Sequence, residues 1–254
     1  MTTPFNAYAA YYDLLYRDKD YAGEADYIDR LIRRHQPQAG TLLELGSGTG
    51  KHARLLVERG YEVHGVERSA DMIEVAQRGA EDGRPAPVFI QGDLRTARLD
   101  DSFDAVISLF HVFSYLPTSA DVLAGLQTAR THLNAGGIFI FDFWYGPAVL
   151  TERPAVRVKR MADATTEVVR LAEPDLRVNE NLVDVRYHVT VRDRRSGAMQ
   201  EIDETHRMRY FFLPEIDEFA RQAGFERVAA EEWLTGRAPG AHSWGVCVVL
   251  REIA

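Results

Sequence analysis

The sequence of 254 residues contains one cysteine, Cys247, so it can hold neither an intrachain disulfide nor a cysteine-based zinc cage. That thiol stands in the apolar run GVCVVL and reads as a small buried hydrophobe, not as a nucleophile. Positive charge is also short: 30 Lys and Arg against 38 Asp and Glu leave a net charge of −8 and a pI near 5.5. Such a surface has no basic field to gather polyanions, so general nucleic-acid binding is disfavoured. The local cluster of Arg153, Arg157, Lys159 and Arg160 reads first as solvated charge on a strand edge and second as a site for a phosphorylated ligand. No apolar run approaches the ~20 residues that a membrane-crossing helix requires. The start, MTTPFNAYAA, lacks the basic flank and apolar stretch of a secretory signal. The expectation is a soluble, cytoplasmic chain with no metal centre and no nucleic-acid or membrane partner.

What is present begins with tyrosine: YAAYYDLLYRDKDY, Tyr8 to Tyr21, holds five of the 11 in the chain. As a helix this stretch puts Tyr8, Tyr12 and Tyr16 on one face, an amphipathic lid packed on the carboxyl edge of a sheet. AGEADYIDRLIRRH then carries Ala25, Ile28, Leu31 and Ile32 at helical spacing. TLLEL, a glycine loop and HARLLVERG read as strand, turn and helix, and YEVHGVE with SADMIEVAQRGA repeats that unit. PVFIQGD, FDAVISLF and GIFIFDFW are three further strands, with a helix over 119–133 before the last. Strands alternating with helices predict an α/β domain around a parallel sheet, and runs such as GIFIF suit strands buried on both faces.

From Pro154 the pattern changes to period-two alternation with β-branched residues, and RRSG at Arg194 to Gly197 is a hairpin signal. This predicts an antiparallel insertion of three or four strands. EIDEFARQAGF, with Pro214 at its start and Gly224 at its stop, is a helix, and two last strands return to the main sheet. The expected segments are an N-terminal helical lid at 1–38, a ligand-binding core at 39–150, the β insertion at 151–212 and a C-terminal return at 213–254.

ELGSGTG places Gly46, Gly48 and Gly50 between a strand and a helix, where the backbone can turn sharply and approach a ligand. The dinucleotide fingerprint requires Gly or Ala five positions after the first glycine, and Lys51 stands there. An NAD(P) reading also finds no Tyr-x-x-x-Lys pair for hydride chemistry. Any one of these glycines is equally well explained by a tight turn, and any one acidic residue by a cap or strand end. The combination is harder to explain that way: GxGxG, Glu44 before it, Glu67 at the end of the second strand and Asp93 after the third.

This order of motifs resembles the class I S-adenosylmethionine-dependent methyltransferases. The resemblance implies a Rossmann-like, seven-stranded sheet and S-adenosyl-L-methionine as cofactor. It implies that Glu44, Gly46, Ser47, Gly48 and Gly50 lie along the methionine and ribose portion, and that Glu67 reads the ribose diol with Arg68 beside it. Met72, Gly92, Asp93, Leu94, Leu109 and Phe110 would surround the adenine and the cofactor's inner face. The lid tyrosines Tyr12 and Tyr21 would face its methionine end, where a phenol can donate to the carboxylate and a ring can face the sulfonium.

SLFHVFSYL, after the fourth strand, lacks the Asn/Asp-Pro-Pro-aromatic motif that grips a nucleobase amine, which favours a small-molecule acceptor. With FDFWYGP, the insertion and ETHRMRYFFLPEIDEFARQAGF, nearly the whole chain resembles nucleotide-linked amino-sugar N-methyltransferases and, more distantly, glycine N-methyltransferase. That resemblance implies Tyr115 near the acceptor nitrogen. His111 and His242 are further candidates for moving its proton, and Tyr16, Trp144, Tyr145 and Arg237 for binding the acceptor. The family's two tryptophans after strand five are Trp144 and Tyr145 here, and its preceding glutamate is Asp142. The alternatives left open are an O- or N-methyltransferase of another metabolite or glycan, and a noncatalytic S-adenosylmethionine-binding module. The insertion is expected to cover the acceptor pocket, form a homodimer contact, or both.

Overall fold

A computed structural model describes residues 9–78 and 85–253, so Tyr8 lies outside the described residues. Parallel strands β1 (Thr41–Leu45), β2 (Glu62–Glu67), β3 (Val88–Gln91), β4 (Phe103–Ser108) and β5 (Leu133–Tyr145) lie in the order β3-β2-β1-β4-β5. Antiparallel β11 (Gly245–Glu252) pairs with β5, and β10 (Phe225–Glu232) completes this seven-stranded body.

Period-two alternation sorts the strand residues between two cores. Leu42, Ala105, Ile107, Ile138, Ile140, Cys247 and Val249 pack under α2 (Tyr21–His35) and α3 (Lys51–Glu58). Leu43, Leu45, Val106, Phe139, Phe141 and Phe143 pack under α5 (Ser119–Thr131) and α7 (Leu213–Gln222). Cys247 is thus a core residue, and burial raises its thiol pKa. β5 begins at Leu133, four residues before the GIFIF run, because the chain pairs with Phe103 before a register shift.

The second core also fixes a functional loop. Phe113, fully buried in the 3-10 turn Val112–Tyr115 after β4, packs on Phe139 at 5.3 Å and Phe141 at 4.4 Å. Burying one such ring contributes about 1.5–3 kcal/mol, so Tyr115 at the end of the turn stands on a rigid base.

The insertion has four antiparallel strands, β6 (Arg157–Ala162), β7 (Thr166–Arg177), β8 (Leu182–Asp193) and β9 (Met199–Phe211). Arg194 to Gly197 form the β8–β9 turn, with the Asp193 carboxylate accepting the N–H groups of Arg195 and Ser196. The end of β9 runs parallel to the end of β5, pairing Trp144 with Tyr210 and Tyr145 with Phe211. This join carries the insertion's inner face to the carboxyl edge of the main sheet. β6 is the free edge, and its exposed Arg157 and Arg160 are the solvated strand-edge charges expected there.

Helix α1 (Ala9–Leu15) packs differently from expectation. Its Leu15 is fully buried among Val168, Val189, Val191 and Ile202, while Asp13 accepts from Thr49 of the glycine loop at 2.9 Å, so the insertion as well as the sheet edge anchors the lid. Among the described residues no helix is long and apolar enough to cross a membrane.

Candidate active site

One cavity of about 580 Å³ opens at the carboxyl ends of β1 to β4 and extends under the insertion, within the usual range of small-molecule sites. Gly46 begins the turn out of β1 with φ of 79°, and a Cβ there would meet the Val112 side chain at 2.6 Å. Gly48, at φ of 54°, has nothing within 4 Å of a Cβ position, so its bare Cα borders the open cavity and admits close approach by a ligand. Glu67 stands opposite, its carboxylate accepting the N–H of Gly48 at 3.0 Å and of Ser69 at 2.8 Å. An ionised carboxylate has about four acceptor positions, so capacity remains for a cis-diol. Ser47 Oγ is buried on the cavity wall with no hydrogen-bond partner among the described residues. A bare glycine, spare carboxylate capacity and an orphaned hydroxyl are features that fit a nucleoside-bearing cofactor.

Further along the wall stand Arg68, buried Met72, Gly92, Asp93, Leu94, Leu109 and Phe110. Asp93 is already engaged: Arg95 Nε and Nη2 reach its two oxygens at 2.9 and 2.6 Å, and this fork holds the carboxyl below its ordinary pKa. Arg95 also donates to Asp121 at 2.8 Å. Asp93 therefore meets a ligand as a fixed, ionised acceptor.

Beneath the loop lies a buried polar group. Glu44 is 1 % exposed, and burial followed by the charge of Glu67 pushes its carboxyl up to about 8. His52 Nδ1 is 3.9 Å away, its Nε2 is 2.7 Å from Glu24, and burial takes the imidazole down to about 3. Glu24 also pairs with Lys19, whose ammonium lies 4.4 Å from the ring centres of both Tyr21 and Phe110. Burial lowers Lys19 to about 8 and raises the Tyr21 phenol. Lys51 adds a second cation 5.1 Å from the Tyr21 ring. The Tyr21 ring expected to meet a cofactor cation thus already has two lysines beside it.

The opposite wall comes from the loop after β4 and from β8 and β9. Phe110 and His111 adopt left-handed backbone conformations, with φ of 65° and 61°, an uncommon state for side chains of this size. Asp142, buried on β5, supports them by accepting the His111 N–H at 3.1 Å, and it lies 2.6 Å from His111 Nδ1. Tyr12, Tyr16 and Tyr21 line the cavity from the lid, and Trp144 from β5. Tyr16 packs edge-on against Phe110 at 5.1 Å and accepts from Arg170 Nη1 at 2.9 Å, joining lid, loop and insertion. Tyr115 Oη is 2.7 Å from His206 Nδ1, and His206 Nε2 is 3.0 Å from Glu204 Oε2.

Five expected positions do not face the cavity. Glu44 and Gly50 stand behind the loop, the first in the core and the second capping α3 against the Phe89 ring. Tyr145 turns into the α5/α7 core. Arg237 folds back onto Glu232 at 3.0 Å in the turn after β10 and remains exposed. His242 pairs with Glu152 at 3.0 Å on the surface. Tyr187 and His206, which sequence reasoning missed as site residues, line the cavity from the insertion. The available signal was a polar residue on the inward register of an alternating strand. Among the described residues no cluster of His, Cys, Asp and Glu is arranged to hold a metal ion.

Comparison with known proteins shows the family and agrees with the fold. Residues 42–137 match the family described as a methyltransferase domain. The chain is 31% identical over 218 residues to the dTDP-3-amino-3,6-dideoxy-alpha-D-glucopyranose N,N-dimethyltransferase of Streptomyces fradiae, covering 85% of this chain and 82% of that protein. It is 30% identical over 232 residues to the dTDP-3-amino-3,4,6-trideoxy-alpha-D-glucopyranose N,N-dimethyltransferase of Streptomyces venezuelae, covering 91% and 94%. Its fold matches an S-adenosylmethionine-bound amino pentose methyltransferase from Micromonospora echinaspora with a TM-score of 0.75 and 27% identity over 99% of both chains.

Proposed function

This chain belongs to the class I S-adenosylmethionine-dependent methyltransferases, in the family of the amino-sugar N,N-dimethyltransferases, and from that premise we propose that it methylates the amino group of a nucleotide-linked amino sugar. The observation that carries the reading is the two-sided cavity, with the glycine loop, Glu67 and Asp93 on one wall and Tyr115, Tyr187 and the β9 face on the other. A ligand held on the first wall meets a second ligand held on the other.

S-adenosylmethionine supplies a methyl group already activated on a sulfonium, so no residue of the chain has to act as a nucleophile. Gly48 would give the cofactor close backbone approach, Glu67 would accept from the ribose hydroxyls and ionised Asp93 would accept from the adenine amine. Met72 and Leu109 supply apolar surface. Tyr12, Tyr16 and Tyr21 exclude water from the reacting end, which makes alignment of the two ligands the main source of rate. Tyr115 receives the acceptor nitrogen and takes part in moving its proton, since only the neutral amine has a lone pair to offer. His111, tied to Asp142 and lining the same wall, orients the acceptor beside Trp144.

The test is incubation with S-adenosylmethionine and nucleotide-linked 3-amino and 4-amino sugars, alongside the corresponding free amino sugars and glycine, with products read by mass spectrometry. The expected result is one or two methyl groups added to a nucleotide-linked sugar. Cofactor binding by calorimetry with no methylated product from that panel would overturn the proposal.

A further inference from the structure

β9 alternates so that Ile202, Glu204, His206 and Met208 face inward, while Asp203, Thr205 and Arg207 are exposed. An imidazole and a carboxylate therefore stand on the register of a hydrophobic face, Glu204 at 6% and His206 at 1% exposure. Polar groups so placed cost free energy unless they are hydrogen-bonded, and these two are connected in series. Glu204 Oε2 lies 3.0 Å from His206 Nε2, and His206 Nδ1 lies 2.7 Å from Tyr115 Oη on the cavity wall. An ionised carboxylate can only accept, so Nε2 carries the ring proton and Nδ1 is left as the acceptor for the Tyr115 hydroxyl. Around the imidazole also stand the Tyr187 ring, packed edge-on at 4.6 Å, and the Arg170 guanidinium over that ring at 4.9 Å. Arg207 follows on the strand and turns outward to Asp184 at 2.7 Å.

We infer that His206, held by Glu204, is the proton sink for the acceptor amine, reached through Tyr115. This rests on the reading that places an amine at Tyr115. As the substrate ammonium gives a proton to Tyr115 Oη, the Tyr115 hydroxyl gives its own to His206 Nδ1. The products are a neutral amine, an unchanged tyrosine and an imidazolium facing the Glu204 carboxylate. The nitrogen's freed lone pair then forms the new N–C bond, and the methyl carbon–sulfur bond breaks with its electrons left on sulfur. The methylated nitrogen is again a cation. A second methyl transfer requires the same proton removal, so the relay serves each transfer once His206 has passed its proton to solvent.

The arrangement predicts a pH signature that a packing role would not produce. Glu204→Gln keeps the shape, but its amide can donate to Nε2, which moves the ring proton to Nδ1 and removes the acceptor for Tyr115. The variant should then depend on amine deprotonated in solution, so kcat/KM should climb about tenfold per pH unit below the amine's pKa. The wild type should reach its plateau at lower pH. Around neutral pH the deficit should be about tenfold or more and should shrink on raising pH, with cofactor affinity unchanged. Tyr115→Phe cuts the relay from the cavity side without altering β9. It should give the same profile, and the double variant should be no slower than either single one.

A deficit constant across pH, additive losses, or undiminished activity in Glu204→Gln and Tyr115→Phe would overturn the relay while leaving the transferase reading intact. A wild-type chain that methylates no amine would overturn both.

Discussion

The carboxylate of Glu67 accepts the backbone N–H of Gly48 at 3.0 Å, so the end of β2 holds the middle of the glycine loop after β1 in place. One side chain thereby sets the loop and presents acceptor capacity to whatever lies over Gly48. Glu67→Ala removes both contributions, and cofactor affinity should fall by about 1.5–3 kcal/mol, the range for hydrogen bonds to a charged group. Titration calorimetry with S-adenosylmethionine measures it, and unchanged affinity would take Glu67 out of the site.

Glu44 gives the same loop a pH dependence. Its folded carboxyl pKa of about 8 lies above the ordinary value of 4.5 because burial disfavours the charged form. Between those values the folded state binds more protons than the unfolded chain, so its contribution is full below the unfolded value and is lost as pH rises toward 8. Glu44→Gln cannot ionise. Its thermal midpoint relative to wild type should rise steadily from pH 5 to pH 8, and a constant difference across that range would mean that Glu44 is ionised in the fold.

Arg237 and His242 make the opposite case. Their side chains are exposed and satisfied by Glu232 and Glu152, away from the cavity. Arg237→Ala and His242→Ala should each leave kcat/KM within about twofold of wild type, because exposed ion pairs contribute little. A fall of tenfold or more in either would show that the segment after β10 moves onto the site during turnover.

The parts of the fold legible in the sequence were those written in local pattern. TLLEL, VFIQ, FDAVIS and GIFIF are apolar runs of strand length, and the glycine register with Glu67 and Asp93 marked one wall of the cavity without knowledge of the pairing order. The second wall needed information that no window contains. Glu204 and His206 read as ordinary charges in ETHRMRY until β9 pairs with β8, Val185 opposite His206 and Tyr187 opposite Glu204, and one face closes over Tyr115. The left-handed conformations of Phe110 and His111 depend on Asp142, more than thirty residues on in the chain. Arg237 and His242 stand off the cavity for a related reason: a polar residue in a late loop gives no sign of whether a neighbouring carboxylate will hold it at the surface.

Leu15 tests how the tyrosine lid is held. It is fully buried against Val168, Val189, Val191 and Ile202 of the insertion, and it is the last residue of the helix that carries Tyr12 toward the cavity. Leu-to-Ala changes at such sites cost about 2–5 kcal/mol when the contact must stay formed. A short helix can instead undock locally, which caps the global loss at its own docking free energy. Leu15→Ala should therefore speed amide exchange across Ala9–Leu15 far more than in β7 to β9, with a small shift in the thermal midpoint. Turnover should fall with it, since Tyr12 and Tyr16 then no longer exclude water from the methyl-transfer end. Unchanged exchange in α1 would mean that contacts other than Leu15 hold the lid, and faster exchange with full turnover would mean that catalysis does not require it closed.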